Sequence, residues 1–284
     1  MRHFRPWLSI AVLALCASTS LPLAAQTLRV MSFNVRVPVA ADGPNRWEAR
    51  RDLMVRTIRE QHPDLMGTQE LHQEQGDYIV GKLPEYTWFG IDRRGGHSDE
   101  HMGVFYRKDV LELQDSGNFW LSDTPDQPGS ISWGHPLPRM VTWARFKVKA
   151  TGRSFYYYNT HLPYRSEDEP ARVKGAKEIL ARLAKLPKDA PFILTGDLNT
   201  DASSPTYALL TQQLVDSRAV APKVEGPEKT FHNFTGTPDQ RIDFILERGF
   251  TPTEYVTITT QQDGRYPSDH FPVRADLRLG NDTH

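Results

Sequence analysis

Short apolar runs of strand length recur along this chain, and each ends at a polar or charged residue. Residues 28–33 run into Asn34, 65–70 close on Glu70, 155–160 lead to His161, and 192–194 break at Gly196 before Asp197. Runs of this length bounded by turn formers fit buried strands. Further strands are expected over 102–106, 141–148, 242–246, 254–259 and 273–277. Two segments follow a helical period instead. Residues 46–61 place Trp47, Met54 and Ile58 on one face, and residues 171–186 do the same with Val173, Ala176, Leu180 and Leu183. Strands and helices alternate with no composition break, internal repeat or low-complexity tract. That predicts a layered α/β protein with sheets in the middle and helices outside. Two stretches rich in Pro, Gly and Asp, 37–45 and 122–138, are expected as loops over a single domain.

The chain has 284 residues, of which 38% are hydrophobic and 24% charged, so it is long enough to bury a large core. Its first residues read differently from the rest. Arg2 and Arg5 precede an apolar run from Trp7 to Ala17, followed by small residues ending at Ala24 and Ala25. This is the layout of a secretory leader cleaved after Ala25, giving a leader over 1–25 and one catalytic domain over 26–284. A lipid-attachment box at Cys16, after Leu13-Ala14-Leu15, is the competing reading. Cys16 is the only cysteine, so a processed chain has no thiolate for catalysis, metal binding or disulfides. The formal charge is −1, and loss of Arg2 and Arg5 lowers it by two, to −3. This is not the basic balance of a tight, non-specific nucleic-acid binder. The expected product is an exported monomer in a periplasmic or secreted bacterial setting, with no membrane span in the processed chain.

Loops at strand ends can converge on one cleft, so the polar residues there are the candidates for chemistry. Asn34 could offer an amide oxygen, or simply form a turn. Glu70 is either a solvated loop carboxylate or a ligand for a hard cation. His161 emerges from an aromatic strand into a polar loop and suits contact with an anion. Asp197 and Asn199 lie two residues apart, and strand alternation would point both the same way; an Asx turn is the alternative. Asp269-His270 precedes the last strand and suits acid–base work, with Asp243 available to orient His270. Arg139 could reach a phosphate or join a surface ion pair. Oxygen donors dominate and thiols are absent, which favours Mg²⁺ or Mn²⁺ over Zn²⁺.

The ordered blocks Ser-Phe-Asn-Val-Arg (32–36), Thr-Gln-Glu (68–70), Asn-Thr-His (159–161), Gly-Asp-Leu-Asn (196–199), Arg-Ile-Asp-Phe (241–244) and Ser-Asp-His (268–270) resemble the endonuclease/exonuclease/phosphatase superfamily, which has the deoxyribonuclease I-like fold. The stretch from Gly117 to Pro125 is similar to one in its secreted bacterial members. The resemblance spans about Leu28 to Leu279 and implies a four-layered α/β/β/α sandwich. It implies Glu70 as principal metal ligand with Asn34 beside it and Asp269 near the metal. It also implies Asp197 activating or positioning water, Asn199 on phosphate, His161 stabilising phosphate and His270 paired with Asp243. The general base stays open among these groups.

Four functions fit this set. A phosphodiesterase or phosphatase acting on a small or lipid-derived phosphoester suits the neutral-to-acidic balance. A secreted nuclease would need a basic face, and Arg50-Arg51 and Arg93-Arg94 are too short to demand one. A sphingomyelinase would need an aromatic-tipped apolar insertion, which the sequence does not present. A non-catalytic binding module on the same fold should have lost at least one of Glu70, Asp197 or His270.

Overall fold

The computed structural model describes Met1 and residues 27–280. The expected leader, its cleavage point and Cys16 lie outside the described residues. The first half of the chain runs β1 (Thr27–Asn34), α1 (Trp47–Gln61), β2 (Leu65–Gln69), α2 (Gln73–Lys82), β3 (Tyr86–Phe89), β4 (Val104–Arg107) and β5 (Leu111–Trp120). Then come β6 (Met140–Val148), β7 (Ser154–His161), α3 (Glu169–Leu183), β8 (Phe192–Asp197) and α4 (Pro205–Leu210). The chain closes with β9 (Val215–Asp216), α5 (Ser217–Val220), β10 (Val224–Glu225), β11 (Asp243–Arg248), β12 (Phe250–Thr257) and β13 (Val273–Leu279). One sheet has the order β10-β12-β13-β1-β2-β4-β3, and the other β5-β6-β7-β8-β11-β9. Both are mixed. Each has an inner strand, β1 or β8, with one parallel and one antiparallel neighbour.

Strand alternation sorts the apolar side chains into three layers. Leu28 and Val30 of β1 meet Tyr157, Ile193 and Ile245 between the sheets. Met31 and Phe33, one residue out of phase, pack outward with Met54 and Ile58 of α1 and Ile79 of α2. On the far side, Tyr158, Leu194 and Phe244 pack against Ala176, Ile179 and Leu183 of α3. The result is helix, sheet, sheet, helix: the α/β/β/α sandwich.

The same alternation becomes polar toward one end of the sandwich. Positions in phase with Val30, Tyr157 and Ile193 include Ser32, Asn34, Asn159, His161, Thr195 and Asp197, all buried. Gln69 donates to Asn159 Oδ1 at 2.8 Å, Thr195 Oγ1 donates to the same oxygen at 3.0 Å, and Tyr157 OH lies 2.5 Å from Thr195 Oγ1. Asn159 donates in turn to the Thr68 and Gly103 carbonyls. This ladder satisfies buried polar groups across both sheets. It requires Gly67, because a Cβ there would overlap Thr195, Tyr157 and Asn159 together.

Some elements escape the sequence patterns. Helix α2 carries Gly76 and Gly81, which weaken helical propensity. It forms because His72 and Gln75 make a reciprocal cap and because Gly76 lets the Trp88 ring pack closely. Strand β5 is half-exposed through its middle and so carries no apolar run. Helix α3 begins and ends slightly earlier than expected, and β12 begins at Phe250, four residues before the expected start.

Replacing Gly67 with Ala should lower unfolding stability by about 1–3 kcal/mol through overpacking between the sheets. Urea unfolding of the two proteins checks this, and equal midpoints would remove the close-approach argument.

Candidate active site

Register brings the expected residues to one end of the sandwich. In the second sheet, His161 of β7 and Asp243 of β11 flank Asp197 of β8 on either side. In the first sheet, Asn34 ends β1 opposite Gln69. The next residue, Glu70, has φ 59°, a left-handed conformation uncommon for a side chain of its size. Asp269 and His270 enter from the segment before β13. Ser268 anchors that segment, donating to the Asn34 carbonyl at 2.7 Å.

Asn34 joins the two halves. Its Nδ2 donates to Glu70 Oε1 and to Asp197 Oδ2, both at 3.0 Å, while its Oδ1 accepts the Arg36 N–H at 3.0 Å. The amide therefore aligns one carboxylate from each sheet. Glu70 Oε2 also accepts the Val37 N–H at 3.1 Å. Arg36 lies between Glu70 and Asp269 at ion-pair distances of 3.9 and 3.7 Å, but its close hydrogen bonds, 2.8 and 3.1 Å, go to Asp42. Glu70 and Asp269 thus share one distant cation. Burial, with Glu70 nearby, raises the Asp269 carboxyl above its ordinary range.

Asp197 lies at the centre, with His161 Nε2 at 3.4 Å and His270 Nε2 at 3.8 Å from its Oδ2. Burial, reinforced by Asp243, pushes its carboxyl up to about 7. The two imidazoles differ sharply. His161 is driven well below its ordinary value by burial and by Arg139, so it is neutral. Burial also opposes charge on His270, but its 2.9 Å hydrogen bond to Asp243 and the charges of Asp243, Asp197 and Asp269 push it up to about 10. Arg139 is 3% exposed and makes no ion pair among the described residues. Burial lowers its pKa, opposed chiefly by the charge of Glu100. The surface salt-bridge alternative for Arg139 is thereby removed.

Asn199 departs from the expected geometry. The strand stops at Asp197, and Asn199 sits at φ 50° with its N–H donated to Asp197 Oδ1 at 2.9 Å. This is the Asx turn, and alternation does not align the two side chains. Asn199 still lines the cleft, while its Nδ2 donates to the Leu162 carbonyl at 3.0 Å.

Glu70, Arg139, His161, Asp197, Asn199, Asp269 and His270 line an open cleft of about 410 Å³, while Asn34 and Asp243 are buried and do not line it. Arg36, Arg93 and Glu100 line it as well, and sequence reasoning gave none of them a role. Arg36 was visible in the Asn-Val-Arg block, next to a recognised candidate. Arg93 and Glu100 lie in a turn-rich segment away from any apolar run, where the strand-end rule has no reach. Glu100 is pushed up to about 7 by burial and by the charge of Glu70. Buried polar atoms of the site, Asp243 Oδ1, His161 Nδ1 and Arg139 Nη1 among them, have no hydrogen-bond partner among the described residues. Such groups are rare unless a ligand or ion completes them.

The donor set fits a hard divalent cation: clustered carboxylates and, among the described residues, no thiolate. Ligand atoms of Asp197, Asp243 and His270 come within 4.8 Å of one another, which makes them one candidate metal group. A protonated imidazole has no lone pair to give, however, and His270 is committed to Asp243. Glu70 and Asp269, with only Arg36 between them, are the better place for a cation.

The chain belongs to the Endonuclease/Exonuclease/phosphatase family, whose pattern matches residues 31–270. The family comprises phosphoester hydrolases that depend on a divalent cation. A Bacteroides vulgatus protein of this family is similar in structure, with TM-score 0.85 and 33% identity over 89% of this chain and 99% of that one. A mannosyl-6-phosphatase from Bacteroides thetaiotaomicron VPI-5482 has TM-score 0.82 and 32% identity, covering 88% of this chain and 99% of that one. An uncharacterised protein of Acanthamoeba polyphaga mimivirus is 29% identical over 80% of this chain and 91% of its own length.

Asp243→Asn should bring the His270 titration down from about 10 toward or below 6.5, read by NMR of the imidazole. The raised value means that the pair's contribution to stability is complete below 6.5 and is lost as pH rises through about 10. The stability gap between wild type and variant, about 3–5 kcal/mol near pH 6, should therefore narrow by pH 10. A gap independent of pH would contradict the charge pairing.

Proposed function

We propose that this protein is an exported, Mg²⁺- or Mn²⁺-dependent phosphatase acting on a small phosphomonoester. The observation that carries this reading is the cleft. It joins a carboxylate cluster to two imidazoles and an unpaired buried arginine, within a volume suited to a small molecule. The likeness to a mannosyl-6-phosphatase over nearly the full length of both chains supports a sugar phosphate as the substrate class. The near-neutral charge supports it against a nucleic acid. Hydrolysis of a phosphodiester is the second reading, favoured by the openness of the cleft toward Gln240 and Asn199, where a second groove begins.

Glu70 and Asp269, with Asn34 beside them, would hold the cation, which supplies positive charge against the non-bridging phosphate oxygens. Arg139 and neutral His161 donate hydrogen bonds to the phosphate, with Asn199 at its edge. Asp197, whose pKa of about 7 suits proton exchange near neutrality, positions the attacking water. Water oxygen bonds to phosphorus as the bond from phosphorus to the alcohol oxygen breaks; the proton that water gives up passes to Asp197 and balances the one that the alcohol oxygen takes up as it leaves. His270, kept protonated by Asp243, stabilises the charge that develops. Export rests on Arg2, Arg5 and the apolar run that follows, and a periplasmic or secreted bacterial setting accords with them.

Purified protein should hydrolyse p-nitrophenyl phosphate only with Mg²⁺ or Mn²⁺ present. Glu70→Ala should lower turnover roughly a thousandfold or more and weaken Mn²⁺ binding in calorimetry. Wild-type turnover in that variant would refute the assignment of the metal.

A further inference from the structure

Resting on the phosphatase reading, we propose that Glu100 and Arg93 form the subsite for the alcohol half of the substrate, and that this half is a polyol such as a sugar. The two residues sit on the segment between β3 and β4. That segment is organised by Asp92, which is buried. Its carboxylate accepts four backbone N–H groups, from Arg94 at 2.8 Å, Gly96 at 2.9 Å, Ser98 at 2.7 Å and Asp99 at 3.0 Å. Arg93 N donates to the Glu100 carbonyl at 2.8 Å, and Trp120 Nε1 donates to the Arg93 carbonyl at 2.7 Å. The loop is thus fixed before any ligand arrives.

What it presents is a pair of opposite character. The Arg93 guanidinium contacts Glu100 at 2.9 Å and Asp99 at 3.0 Å, and both Arg93 and Glu100 line the cleft. The guanidinium is already held by these two carboxylates, so it adds little affinity for a second phosphate. A carboxylate beside a guanidinium offers acceptors and donors together, the combination that neighbouring hydroxyls satisfy. Arg139 sets the position. It is nine-tenths buried or more and has an unpartnered Nη1. Glu100 is the foremost charge acting on it, with Asp197 and Glu70 also in range. Arg93 and Glu100 line the same cleft as Arg139, so an alcohol esterified to a phosphate on Arg139 comes within reach of the pair. A nuclease would need free cationic charge at this place, and Arg93 is engaged by Asp99 and Glu100, which disfavours a phosphate-rich chain.

The test compares Glu100→Gln with wild type on mannose 6-phosphate and on p-nitrophenyl phosphate, whose alcohol carries no aliphatic hydroxyls. The variant is close in shape, and Arg93 keeps Asp99 as its partner; matching circular dichroism melts check the fold. The expected result is that kcat/KM for mannose 6-phosphate falls roughly ten- to hundredfold further than for p-nitrophenyl phosphate, mainly through KM. Equal losses on both substrates overturn the subsite. So does a shift in the Mn²⁺ concentration giving half-maximal activity, which would place Glu100 with the metal instead. If wild type cleaves p-nitrophenyl phosphate but not mannose 6-phosphate, the polyol assignment falls while the phosphatase reading stands. Wild type inert on both fails that reading, and the subsite falls with it.

Discussion

The Asn34 amide touches one carboxylate from each sheet, Glu70 from the first and Asp197 from the second, at equal distances of 3.0 Å. That contact exists only because the two sheets approach closely at this end. Gly67 leaves room for Tyr157, Asn159 and Thr195, and the ladder from Gln69 to Thr195 fastens the approach with hydrogen bonds buried from water. Further along the strands, the same inward-facing positions are Leu, Val and Ile, and the interface is an ordinary apolar core. One alternation thus serves two purposes. Its apolar part drives sheet stacking, and its polar end assembles a site from segments far apart in sequence.

Assembly at the seam also sorts the protonation states. His161 and His270 are both buried beside Asp197, yet only His270 has an acidic partner on its other nitrogen. Burial, with Arg139 nearby, leaves His161 neutral, while Asp243 holds the proton on His270. Two residues of one type are thereby separated into a neutral and a charged donor, the kind of division that lets one site carry out acid and base steps at a single pH. Arg139 adds a fixed charge with no ion-pair partner among the described residues, and the site therefore favours an anion in that place.

Much of the architecture was legible because buried strands write their own signature. Strands β1, β7, β8 and β11 carry apolar residues on both faces, so runs such as Phe192-Ile193-Leu194 were unmistakable, and the ends of the first three pointed to Asn34, His161 and Asp197. What stayed hidden depends on tertiary context. Helix α2 owes its existence to a cap and to the Trp88 ring, and β5 is half exposed, so neither shows a clear period. Asn199 was placed by extending strand alternation one step too far, past the point where the backbone turns left-handed. Arg93 and Glu100 reach the cleft through a loop folded around the Asp92 carboxylate, and no local pattern of apolar residues marks such a loop.

The proposed chemistry depends most on where the cation sits, and anomalous diffraction from crystals soaked in Mn²⁺ reads that directly. A peak within coordination distance of both Glu70 and Asp269 is the expected result, with His270 still paired to Asp243. A peak among Asp197, Asp243 and His270 would contradict it, because the imidazole that Asp243 keeps protonated would then be a ligand.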